Sequence, residues 1–271
     1  MRRFSTILIA LALSASPGVA APVIFSDAGP RAADIQDTVD AFRAEFSALN
    51  TNTPTNEDPD GRREINWDGV PDSLSDPNDF PGDFFNGSTP GRARGIEFVA
   101  TGDTEGFEVS SSSASGVPIL FDEPDEYSFF SPEKIFRPDD GATFDILFFD
   151  PTDQKTAATT RGFGAVFTGL ELIDQVILSF YDIKGDLLAK EGVLPSGLTN
   201  LSFLGVVFDD PLVARVSVGT GLAYVEDEPV MDDFLYGEPV PVSPVPLPAG
   251  LLLGLTSMAA LAGVRRQRPA R

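Results

Sequence analysis

The chain has 271 residues, with 41 acidic against 19 basic side chains, 22 Phe, 25 Gly, 23 Pro, and neither Cys nor His. That length suffices for one large domain with a substantial core. The missing Cys and His exclude disulfides, thiol nucleophiles, zinc or haem sites built on Cys or His, serine triads and histidine proton shuttles. The formal charge of −22 argues against a nucleic-acid partner, whose phosphates need Lys and Arg.

Residues 1–20 read as a secretory signal. Met1-Arg2-Arg3 makes a basic start, residues 7–13 (ILIALAL) form a short apolar run, and Gly18 and Ala20 provide small residues at a cleavage site. Six of the basic residues lie in the two ends (Arg2, Arg3, Arg265, Arg266, Arg268, Arg271). Residues 21–245 therefore carry 13 basic against 41 acidic side chains, a net of −28. Such a balance favours solubility and makes divalent cations natural counter-ions.

Residues 32–49 (AADIQDTVDAFRAEFSAL) place Ala32, Ile35, Val39, Phe42, Phe46 and Leu49 at spacings of three and four, which predicts one amphipathic helix. It is expected to pack across an open end or edge of a sheet. Residues 50–60 (NTNTPTNEDPD) are polar, Pro-containing and aperiodic, as in a linker or mobile loop.

From Arg62 onward the period shortens to two. Residues 96–100 (IEFVA), 106–110 (GFEVS), 144–149 (FDILFF), 162–168 (GFGAVFT), 176–182 (VILSFYD), 187–190 (LLAK), 201–208 (LSFLGVVF) and 213–218 (VARVSV) alternate or are rich in Phe and Val. Breaks of Gly, Pro and Asp between them predict antiparallel strands, with a tight hairpin at Ile183-Lys184-Gly185-Asp186. No helices separate these strands, so a parallel sheet is excluded. The expected fold is mostly β, an antiparallel two-sheet β-sandwich (jelly-roll-like) with one N-terminal amphipathic helix. The organisation that follows is a signal at 1–20, helix and linker at 21–61, the sandwich at 62–239, and a tail at 240–271.

Three acidic motifs carry chemistry worth weighing. Asn56-Glu57-Asp58-Pro59-Asp60-Gly61 mimics the start of an EF-hand loop, but Trp67 stands where the twelfth-position Glu belongs. Met231-Asp232-Asp233-Phe234-Leu235-Tyr236 sets two carboxylates within an apolar strand, and a buried carboxylate must be paired or bound to a cation. Asp68, in the turn Trp67-Asp68-Gly69, is the expected partner of Asp232 and Asp233 in a calcium site. The competing reading pairs Asp232 with an Arg or with backbone amides and leaves Asp233 solvated. Asp209-Asp210-Pro211 and Asp139-Asp140-Gly141 are read as turns. No carboxylate pair stands out as an acid and base, so no catalytic residue is assigned.

Residues 245–249 (Val245, Pro246, Leu247, Pro248, Ala249) precede an apolar run of about 15 residues, ~23 Å as a helix and marginal for a bilayer, followed by the four arginines. This order resembles the VPLPA variant of the PEP-CTERM sorting signals of Gram-negative bacteria. The resemblance implies export, transient anchoring in the inner membrane, processing by an exosortase-type protease, and delivery to the cell surface or to exopolysaccharide. Residues 62–70, 84–86, 162–168 and 231–237 together resemble an uncharacterised family of such exported proteins, which implies one compact domain and supplies no activity. The expectation is a non-catalytic, surface-sorted protein with a structural or interaction role. The alternatives are a calcium-stabilised glycan-binding module and a carboxylate-based glycoside hydrolase.

Overall fold

The computed structural model describes residues 20–55, 57–139, 141–221 and 229–242. The signal segment at 1–19, the sorting motif at Val245–Ala249 and the tail beyond it lie outside the described residues. Among the described residues no helix is long and apolar enough to cross a membrane.

The chain order is β1 (Val23–Gly29), α1 (Ala32–Ala44), β2 (Arg62–Ile65), β3 (Ile96–Ala100), β4 (Gly106–Val109), β5 (Phe136–Asp139), β6 (Phe144–Phe148), β7 (Ala158–Thr159), β8 (Gly162–Thr168), β9 (Ile177–Tyr181), β10 (Leu187–Gly192), β11 (Leu201–Val207), β12 (Arg215–Gly219), β13 (Val230–Gly237) and β14 (Val240–Pro241). All strand pairs between these elements are antiparallel. One sheet runs β1-β11-β8-β13-β5-β4, with β2 also on β13, and the other runs β10-β9-β12-β6-β3. The hairpin between β9 and β10 forms where Ile183–Asp186 predicts it.

The alternating apolar residues explain the layers. Phe98, Phe144, Ile146, Leu178, Phe180, Val216 and Val218 of the five-stranded sheet pack against Phe107, Phe136, Phe163, Phe167, Leu204, Met231, Phe234 and Tyr236 of the seven-stranded one. Trp67 sits at the centre, stacked on Phe136 with centroids 4.3 Å apart and met edge-on by Phe80, Phe85 and Phe234. Such aromatic pairs add about 0.5–1.5 kcal/mol each beyond their buried area. The structure is therefore a β-sandwich with a largely phenylalanine core.

The helix departs from expectation. It does not close an end of the sandwich but lies on the outer face of the seven-stranded sheet, over its edge strand β1 and the neighbouring β11. There Ile35, Val39, Phe42 and Phe46 bury against Val166, Leu201, Phe203, Val207 and Leu235. Strands β8 and β11 are consequently buried on both faces. Gly164 of β8 and Gly205 of β11 are cross-strand partners. The missing side chain of Gly205 leaves a hollow for Phe42, because a Cβ there would overlap the Phe42 ring, while a Cβ on Gly164 would crowd Phe203. This is the close approach for which a strand glycine is needed.

Two further differences concern boundaries. The segment before the helix is itself an edge strand, β1, which pairs with β11 along seven residues. The sandwich thus starts near Val23 rather than Arg62. Residues 50–60 are packed rather than a free linker. The Glu57 carboxylate accepts from the amides of Thr51 and Thr53, and Asp58 accepts from the Ser47 hydroxyl. Those bonds occupy two of the three carboxylates of the EF-hand-like loop, Asp60 staying exposed, and its first residue, Asn56, lies outside the described residues.

Candidate functional site

β13 is the strand on which the polar interior is organised. It keeps β8 on one side and changes partner on the other, from β5 at Met231 to β2 at Phe234–Gly237. The change falls on Asp232-Asp233, where the register with β8 slips between Met231 and Phe234. Met231, Phe234 and Tyr236 face the sandwich core. Strict alternation would place Phe234 on the opposite face from Met231, so one residue is extra: a β-bulge. The two adjacent carboxylates mark that bulge.

Asp232 is fully buried and Asp233 is 5% exposed. Asp232 Oδ2 accepts from the backbone amides of Phe130 (2.6 Å) and Ser131 (3.2 Å). The Ser131 hydroxyl donates to Asp233 Oδ1 at 2.6 Å and reaches Asp232 Oδ1 at 3.3 Å. Asp233 Oδ2 lies 3.9 Å from Nη2 of Arg43, whose fork also holds Glu64 at 3.0 and 3.1 Å. Helix α1, strand β2 and the bulge are thus joined by one charge network.

Burial, reinforced by the charge of Asp233, raises the Asp232 pKa well above the ordinary carboxylate range, against the opposing pull of the two amides. Burial also raises that of Asp233, opposed by the Ser131 hydroxyl, Asp232 and Arg43. Two carboxylates so close titrate as a pair and retain a shared proton to higher pH than a free acid.

Asp68 acts on the same loop from the other side. Its Oδ1 accepts from the amides of Glu133 and of Lys134, the latter at 3.1 Å. Lys134 is itself buried, and its Nζ donates to Val70 O (2.6 Å), Asp72 Oδ1 (2.9 Å) and Ser75 Oγ (2.9 Å). Between the two grips stands Trp67, in a left-handed conformation at φ 63°, which turns its indole inward so that Nε1 donates to Asp232 O at 2.6 Å.

The three acids singled out for calcium are therefore brought to one loop but not to one point. Asp232 and Asp233 meet on Ser131, and Asp68 takes the amides two residues further along. Among the described residues no group of three or more acidic side chains is arranged to hold a metal ion. Of the alternatives weighed from sequence, the amide-capping role of Asp232 is the one these bonds display, whereas Asp233, expected there to be solvated, is buried on the Ser131 hydroxyl. A carboxylate that accepts two or three such donors satisfies the buried-charge requirement without a cation.

A second buried cluster escaped the sequence reading. Arg63 is fully buried, and its Nε and Nη2 meet both oxygens of Glu238 at 2.5 and 2.6 Å, while Nη1 donates to Ala93 O at 2.5 Å. Asn50 Nδ2 completes the Glu238 shell at 2.7 Å. The available signal was Arg62-Arg63 and Arg92-Ala93-Arg94, which hold four of the 13 basic residues of the segment 21–245. Trp67 and Tyr236 are 1% and 0% exposed, so neither presents a sugar-stacking face.

No family profile matches the chain, and no curated protein matches it. Among solved structures it is similar to the enzymatically active domain of bacteriophage CBA120 tailspike protein 4, at 15% identity and a TM-score of 0.24. That alignment spans 59% of this chain and 20% of the tailspike chain. At this score the likeness assigns neither fold nor activity.

Proposed function

We propose that the protein is an exported, surface-sorted, non-catalytic β-sandwich with a structural or interaction role at the envelope or in an exopolysaccharide matrix. The observation that carries the reading is the use made of Asp232 and Asp233. They are the carboxylates most shifted toward an acid-base role, yet both are spent on Ser131, two backbone amides and the Arg43 network. Groups arranged in this way hold a loop to a sheet. The strongly acidic remainder keeps such a domain soluble and repels like-charged chains. The terminal segments supply the address by their resemblance to a signal peptide and a VPLPA sorting tail.

The test is to express the full chain with an internal epitope tag in a Gram-negative host, with and without an exosortase-type protease. Export, loss of the tail only when the protease is present, and co-fractionation with surface polysaccharide support the reading. Retention in the cytoplasm, or release of reducing ends from isolated polysaccharide by the purified chain, overturns it.

A further inference from the structure

In a chain with 41 acidic and 19 basic residues, an arginine without a carboxylate partner is unexpected. Arg31, Arg43, Arg62, Arg63, Arg137 and Arg215 all form ion pairs. Arg92, Arg94 and Arg161 form none among the described residues, and the first two line one cavity of about 260 Å³ with Asn66, Trp67, Phe84 and Phe85.

The two guanidinium groups are held in place by other means. Arg92 lies 4.2 Å over the centroid of Phe84 and donates Nε to Phe84 O at 2.9 Å. Arg94 lies 4.6 Å over Phe85 and donates Nε to Gly91 O at 2.8 Å and Nη1 to Glu64 O at 2.5 Å. Stacking on an aromatic face fixes a guanidinium flat and leaves its edge free to bond. The edge nitrogens still without an acceptor among the described residues are Arg92 Nη1 and Nη2 and Arg94 Nη2. Burial, with the nearby charge of Arg63, pushes the Arg94 pKa down from its ordinary value. An anion entering the cavity would offset that cost.

The anion's class follows from size and charge. The cavity falls below the 300–1,000 Å³ usual for drug-sized ligands, so it suits one ring rather than an extended chain. The overall field of a −22 chain repels a phosphate dianion about twice as strongly as a monoanion. A guanidinium fork matches a planar carboxylate. The amide of Asn66, which lines the same cavity, suits the hydroxyls of such a ring.

We infer that the cavity between Arg92, Arg94 and Trp67 binds a carboxylated sugar ring of the hexuronate class, with its carboxylate on the two guanidinium edges. The site stands independently of the sorting proposal, because binding is read on the purified full chain whatever its destination.

The test is calorimetric titration of the full chain at low salt with sodium glucuronate, glucose, sodium benzoate and sodium phosphate. Expected is saturable glucuronate binding at least ten-fold tighter than that of the other three. Arg92→Gln, at an exposed position, should stay folded with a midpoint lowered only by the loss of its Phe84 contacts, and lose about ten-fold or more in affinity. Arg94→Lys, which keeps the charge and loses the fork, should also weaken binding. No glucuronate binding up to tens of millimolar, equal or tighter binding of glucose, benzoate or phosphate, or an unchanged affinity in a folded Arg92→Gln overturns the inference.

Discussion

The buried pair Asp232-Asp233 makes the stability of this domain fall as pH rises above the ordinary carboxylate range. The chain has no His. The carboxylates Asp34, Glu57, Asp58, Asp72, Glu133 and Asp153 are held below their ordinary values, chiefly by hydrogen bonds and charge partners. Their contribution is lost only as pH falls through the acid range. The pair behaves oppositely. With its folded-state pKa raised, the folded chain binds a proton that the unfolded chain has released. The associated stability is complete below pH ~4 and is lost as pH rises toward the raised value. One proton corresponds to about 1.4 kcal/mol per pH unit within that window, or roughly 3–5 °C in midpoint for a domain of this size. Asp232→Asn places an amide N–H where the acid proton points toward Asp233 and keeps a carbonyl oxygen for the Phe130 and Ser131 amides. The variant should lose less stability than the wild type as pH rises from about 4 to about 9 and exceed it in stability at the upper end. The assay is urea or thermal unfolding of both proteins across that range. A flat wild-type profile, or a variant that declines in parallel with it, would refute the assignment of the proton to this pair.

Removing Glu238 by substitution with Ala should cost up to about 3–5 kcal/mol, because it leaves the buried Arg63 charge with only the longer Glu57 pair at 3.6 Å. The double variant Arg63→Met/Glu238→Leu should recover most of that loss in urea midpoint. Gly205→Ala should destabilise by about 1–3 kcal/mol through overlap with Phe42, and limited proteolysis should then cut first around α1. With the oxygens of Asp68, Asp232 and Asp233 already accepting protein hydrogen bonds, excess calcium and excess chelator should give the same thermal midpoint. A rise of several degrees with calcium, lost in Asp232→Ala, would instead establish a metal at these residues.

Much of the sheet structure is legible because a sandwich strand with one core face writes its period directly into the chain. β3, β4, β6, β9 and β12 all emerge from alternation within a residue or two at their ends. β1 is not legible in the same way. Its Val23 and Ile24 are about half exposed at a sheet edge, so the pattern lacks a core face to report. The placement of α1 is hidden for another reason. The hollow that takes Phe42 is made at Gly205, far along the chain from the helix, and the two meet only once β11 is paired into the sheet. At the site, Asp232-Asp233 between Met231 and Phe234 announces buried carboxylates. Yet the donors that satisfy them come from Phe130 and Ser131, in a stretch without periodicity. The ion pair of Arg63 with Glu238 spans 175 positions and has no local signature beyond an arginine in a strand otherwise facing the core.

The order of contacts at the C-terminal side of the sandwich has a mechanical meaning. Strand β14 holds β7 by only two residue pairs and the bond from Val242 N to Ala157 O. Just inside it stand the Glu238–Arg63 lock and the amide of Glu238 on Gly61 O, and then β13, flanked by β8 and β2. Tension applied at residue 242 would first peel β14 open, one bond at a time and at low force. It would then meet the ion pair and load β13 in shear along both neighbours at once. The domain is built to yield by a few residues and then hold, a property suited to a protein pulled from one end.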